Sequence, residues 1–105
     1  MTKEETQMMA FQLISIAGDA MDQFYQCVKS FKKNDIQLAV EFFKEGQGHL
    51  TEVHNLQTKL IQAEVNDEEI PYSLIMTHAQ DHLSTAISWG RICQLLVETE
   101  AQNVK

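Results

Sequence analysis

Three stretches of apolar residues at alternating three- and four-residue spacing, parted by short polar breaks, constrain this chain most. The first is Ile14, Ala17, Met21, Phe24, Val28 and Phe31. The second is Phe42, Gly46, His49, Val53, Leu56, Leu60 and Ala63. The third is Ile75, His78, His82, Thr85, Trp89, Ile92 and Leu96. Such spacing belongs to a helix packed along its length against others. No strand alternation, internal repeat or low-complexity tract competes with it. Four glycines and one proline in 105 residues fit the same picture, because both residues disfavour helix interiors. The pattern predicts an all-α, antiparallel up-down-up three-helix bundle, one domain over residues 1–105. Each helix should hold roughly 25–30 residues and run about 40 Å. A bundle this thin has much surface for its core, so self-association is expected.

The ends of the helices carry their own signals. Thr2 followed by Glu5 forms a capping box, so the first helix begins almost at once. Gly18, which costs about 1 kcal/mol against alanine inside a helix, predicts close approach of a neighbouring helix there. Lys32 and Lys33 suit a helix C-terminus. Asn34 is then the expected cap of the second helix, with Gln37 in the capping-box position. That connection is so short that the first two helices must form a hairpin. Gly46 and Gly48 suggest a close contact or a slight bend in the second helix. The acidic stretch from Glu64 to Pro71 reads as a solvated loop, with the proline suited to a helix's first turn. The third helix should start near Pro71 or Tyr72 and end near Glu100, with a frayed tail from Ala101 to Lys105.

Charge and cysteine usage narrow the function. A formal charge of -7 supplies no basic stripe for nucleic acid and no attraction to an anionic membrane surface. Cys27 and Cys93 lack the spacing of a disulfide framework or a short metal motif. They read as buried or half-buried thiols, as in a reducing compartment. The N-terminus is acidic and without an apolar core, and no apolar run is long enough to span a bilayer. The expected location is the cytoplasm.

The chemistry concentrates in Met76-Thr77-His78-Ala79-Gln80-Asp81-His82-Leu83. On a helix, His78 and His82 lie about 40° apart, and Asp81 about 60° to the other side of His78. Two histidines and a threonine thus occupy positions that an ordinary bundle fills with leucine or isoleucine. Unpaired polar groups on such a stripe cost free energy. Three explanations stand. The histidines could chelate zinc, with Asp81 as a third ligand, although no HExxH is present. A neutral imidazole could act as a phosphoryl acceptor. Or the groups form a satisfied polar layer that fixes the bundle's register and its assembly. His49 reads as a structural core-facing histidine and His54 as partly exposed. Gln80 points away from His78 and reads as a contact residue.

His78-Ala79-Gln80-Asp81-His82-Leu83 resembles the signature of the enzyme IIA component of the lactose/cellobiose (chitobiose) class of bacterial sugar phosphotransferase systems. Ile14-Ser15-Ile16-Ala17-Gly18-Asp19-Ala20 is similar to that family's first-helix motif, and His54-Asn55-Leu56-Gln57-Thr58-Lys59-Leu60-Ile61-Gln62 to its second. Together they cover nearly the whole chain, in the family's order. Ser84 departs from the pattern, since many relatives carry methionine there, which touches packing more than chemistry. The resemblance implies a three-helix bundle that assembles as a homotrimer. It implies that phosphorylated HPr passes its phosphoryl group to His78, as a tele-phosphohistidine, and that His78 passes it to a cysteine of the cognate IIB component for sugar uptake. It associates Asp81 with a magnesium ion at the trimer axis. His82 is then an orienter of His78 or a hydrogen-bond donor to the phosphoryl group. The competing possibility is a non-catalytic helical oligomerisation or metal-binding bundle. The sequence does not choose the sugar.

Overall fold

The computed structural model describes residues 1–103, with side chains described through Glu100. Three α-helices of 30 residues each account for nearly all of it: α1 Lys3–Lys32, α2 Ile36–Val65 and α3 Leu74–Asn103. They form an up-down-up bundle of 53 × 21 × 15 Å. α1 packs along both other helices, and the contact between α2 and α3 is thinner. α1 and α3 therefore run parallel, with their N-termini at one end.

The capping box forms as expected. The Thr2 hydroxyl accepts from the Glu5 N–H at 3.0 Å, and the Glu5 carboxylate accepts from the Thr2 N–H at 2.9 Å. Those bonds hold the Glu5 carboxyl below its usual range. The second cap is one residue later than expected: Asp35, not Asn34, accepts from the Leu38 N–H at 3.2 Å. Asn34 instead takes a left-handed conformation, φ 62°, and closes a Schellman turn. In it the Asp35 N–H reaches the Ser30 carbonyl and the Asn34 N–H reaches Phe31. Asp67, φ 61°, closes α2 the same way, through Glu68 to Ala63 and Asp67 to Glu64. Neither turn uses glycine, because asparagine and aspartate tolerate this region. α3 starts at Leu74, three residues past Pro71, because the Ser73 hydroxyl accepts from the Met76 N–H. It continues through Asn103, so the expected frayed tail is helical over 101–103, and Val104 and Lys105 lie outside the described residues.

The core centres on Phe24, Leu13, Leu83 and Val53, lined by alanines and two cysteines. On α2 the expected stripe holds, with Gly46, Val53 and Leu60 buried and Phe42, His49, Leu56 and Ala63 beside them. On α1 the buried line is offset toward Leu13, Ala20 and Cys27, and Ile14, Met21, Val28 and Phe31 flank it. On α3 the expectation is overturned. The buried residues are Ala79, Leu83, Ala86, Gly90 and Cys93, whereas His78, Thr85, Trp89, Ile92 and Leu96 face outward. Small residues win this position because they let α3 approach α1 closely. A Cβ on Gly90 would sit 3.0 Å from both Phe24 and Leu50. Gly18 meets nothing within 4 Å, so the close approach predicted there does not occur.

Cys27, on α1, and Cys93, on α3, are free and fully buried. Burial, then the neighbouring Cys27, pushes the Cys93 thiol up to about 12. The Cys93 thiol donates to the Phe24 carbonyl at 3.6 Å. Among the described residues, no helix is long and apolar enough to cross a membrane.

Candidate functional site

His78 and His82 sit one turn apart on the outward side of α3, so their side chains stack along the helix. His78 is exposed and His82 half-buried. Their Nε2 atoms are 3.0 Å apart and the rings meet edge to face, with centroids 4.5 Å apart at 85°. Only one proton fits between the two nitrogens. One ring donates and the other accepts, so the tautomer of each fixes that of its partner. This pairing needs no other helix.

His78 also lines an open groove of about 850 Å³ between the start of α3 and the start of α1. Lys3, Gln7 and Phe11 supply the opposite wall, at the four-residue spacing that keeps side chains on one helix face. Tyr72, Leu74 and Phe11 give the groove an exposed apolar rim, at 81%, 74% and 59% exposure. Sequence reasoning did not find the α1 wall. Its signal was present in the spacing of residues 3, 7 and 11, but only the parallel packing of α1 on α3 carries them to His78.

The other residues singled out in the sequence separate. Asp81 is exposed on the outward side of α3, with Leu74 and Ser88 seven residues to either side of it and likewise exposed. Gln80 makes its contact within the bundle. It is half-buried and accepts from the Gln57 amide at 2.9 Å, which links α3 to α2. His49 is half-buried, and exposed His54 lines a separate groove between α2 and α3 with Gln57, Leu83 and Ile87. Neither histidine lines the groove at His78. Among the described residues, no group of three or more His, Cys, Asp or Glu side chains is placed to hold a metal ion. The 3.0 Å between the imidazole nitrogens is a hydrogen-bond distance, which gives the zinc explanation no support.

A long three-helix bundle with a paired, exposed imidazole beside a groove defines a class of protein rather than one sequence motif. The family model described as PTS system, lactose/cellobiose specific IIA subunit matches residues 8–100. A lactose-specific EIIA component of a PTS system from Staphylococcus aureus is 34% identical over 98 residues, 93% of this chain and 95% of that one. The crystal structure of PtcA from S. mutans superposes with a TM-score of 0.90 at 30% identity, covering 94% of this chain and 97% of that one. The Escherichia coli IIA(chitobiose) subunit, solved in complex with HPr, superposes with a TM-score of 0.75 at 27% identity, covering 95% and 97%. The chain belongs to the lactose/cellobiose-specific IIA family of the phosphotransferase system, and it is a phosphotransferase component of that kind of sugar transport system.

Proposed function

We propose that this chain carries a phosphoryl group on His78, accepting it from phosphorylated HPr and passing it to a cysteine of the cognate IIB component. The observation that carries the proposal is the pairing of exposed His78 with His82 beside an open groove. A similar IIA subunit has been solved bound to HPr, which supports the donor.

Acceptance needs a lone pair on the attacking nitrogen. When the shared proton sits on His82, the Nε2 of His78 is such an acceptor, and its own ring proton rests on Nδ1. A phosphoryl group entering at Nε2 displaces that hydrogen bond. The P–N bond of the donor breaks, the donor imidazole leaves with the electron pair, and a new P–N bond forms on His78. The His82 Nε2–H is then free to donate to a phosphoryl oxygen, so it both sets the reactive tautomer and receives the product. In the second step a thiolate of IIB attacks phosphorus and the P–N bond breaks. His78 leaves as the neutral ring, with the electron pair back on Nε2 and its proton still on Nδ1. The apolar rim of the groove suits brief docking of one partner after another.

The exposed outer face of α3, with Trp89, Ile92, Leu95 and Leu96, is the surface on which three copies would assemble as a homotrimer. Asp81 lies on that face, so three carboxylates would approach one axis. Close like charges repel unless protonated or bridged. Three oxygen donors suit magnesium, which would offset most of their charge and hold the copies together. That role is structural, and no step of the transfer passes through it.

The test is single-turnover transfer from phosphorylated HPr, followed by chase onto IIB. His78→Ala should abolish acceptance, and His82→Ala should accept at least tenfold more slowly. Acceptance by His78→Ala at the wild-type rate would overturn the assignment.

A further inference from the structure

The groove at His78 contains a cation that the transfer just described does not use. The chain has eight lysines and arginines against fifteen acidic residues, so a basic side chain facing the candidate acceptor is against the average. Lys3 lines the groove from the first turn of α1. Its neighbouring carboxylate, Glu5, is committed to the Thr2 N–H. Among the described residues, no carboxylate lies within ion-pair distance of Lys3. Gln7, one turn on and half-buried, places a neutral amide beside it. Because α1 and α3 run parallel, their positive helix ends also converge on this end of the groove.

We propose that Lys3 is the residue that neutralises the phosphoryl group on His78, with the Gln7 amide as a second donor to its oxygens. The inference rests on His78 being the acceptor. A transferring phosphoryl group spreads its charge over three equatorial oxygens, and catalysis comes from charge and positioning around them. His82 supplies one hydrogen bond but no permanent charge. Lys3 remains an ammonium throughout: it loses no proton, forms no bond to phosphorus, and acts on both the transfer and the phosphorylated product.

The experiment measures single-turnover acceptance at saturating phosphorylated HPr for the full-length chain, with Lys3→Gln, Lys3→Arg, Lys3→Glu and Gln7→Leu. A unit charge lining the same groove as the phosphoryl group supports a rate loss of about tenfold for Lys3→Gln. Lys3→Arg should restore most of the rate, and Lys3→Glu should fall further. The loss should persist at saturation, which separates charge at phosphorus from docking. The ³¹P shift of the phosphohistidine should move in Lys3→Gln and return in Lys3→Arg. A wild-type rate and shift in Lys3→Gln would overturn the proposal, as would an equal loss in Lys3→Arg. If the wild-type chain accepts no phosphoryl group at all, the carrier role itself fails. If it accepts normally and Lys3→Gln is indifferent, only the role of Lys3 fails.

Discussion

Gly46→Ala should destabilise the bundle, while the same change two residues away at Gly48 should stabilise it. A Cβ on Gly46 would lie 2.4 Å from Cε1 of Phe24 and 2.8 Å from Cδ1 and Cζ. The ring has little room to retreat, because it is fully buried and also packs close to Gly90, where a built Cβ would lie 3.0–3.2 Å from it. Phe43 holds the ring from a third direction, with centroids 6.3 Å apart. Overpacking of this kind costs about 3 kcal/mol at the upper end of its usual range. Alanine returns about 1 kcal/mol of helix propensity, leaving a net loss of about 2 kcal/mol. Gly48 has nothing within 4 Å, so only the propensity gain of about 1 kcal/mol remains. Thermal unfolding at fixed protein concentration measures both. For a chain of this size Gly46→Ala should lower the midpoint by about 8 °C or more, and Gly48→Ala should raise it by about 4 °C. In a Phe24→Leu background the Gly46→Ala penalty should shrink by more than 1 kcal/mol, since the two sites share one contact. Shifts of the same sign at Gly46 and Gly48 would refute the reasoning.

Other outcomes follow from the caps, the thiols and the outer face of α3. Glu5 has a lowered folded-state pKa, so its contribution is present above the unfolded value of 4.5 and is lost as pH falls through the folded one. The stability gap between wild type and Glu5→Gln, read by urea unfolding, should therefore be open at pH 6 and shrink as the pH falls below 4.5. Cys27 and Cys93 should resist a water-soluble thiol reagent at pH 8 in the folded chain and react promptly in denaturant, because burial keeps both protonated. Prompt labelling of the folded chain would contradict their placement. Asp81→Leu should relieve carboxylate repulsion and keep the proposed trimer intact after chelation of divalent ions. Sedimentation that shows monomer in that variant would count against the proposed axis.

Much of the fold was legible because its signals are local. The Thr2 and Glu5 pair marked the first helix, and the α2 stripe could be read directly from its spacing. The site was legible to the extent that His78 and His82 share one helix, since their meeting needs only the helical period. What escaped depends on the other helices. The α3 stripe was inverted, because size misled: Ile92 and Trp89 look like core, yet Ala86 and Gly90 take the inside by allowing closer packing around Phe24. Gly18 and Gly46 look alike in the sequence, and only Phe24 tells them apart. Asn34 shows a smaller failure, since its side chain suits a cap while its backbone tolerance suits the left-handed turn before one. Lys3 and Gln7 reach the groove through the parallel alignment of α1 and α3, which no spacing within either helix encodes.

The central claim is that His78 carries the phosphoryl group, and intact-mass spectrometry tests it most directly. The chain is incubated with phosphoenolpyruvate, enzyme I and HPr at neutral pH. The account predicts a mass gain of one phosphoryl group per chain that is acid-labile, base-stable and absent in His78→Ala. A folded chain that gains no mass while HPr is verified as phosphorylated, or gains it equally in His78→Ala, would contradict the account.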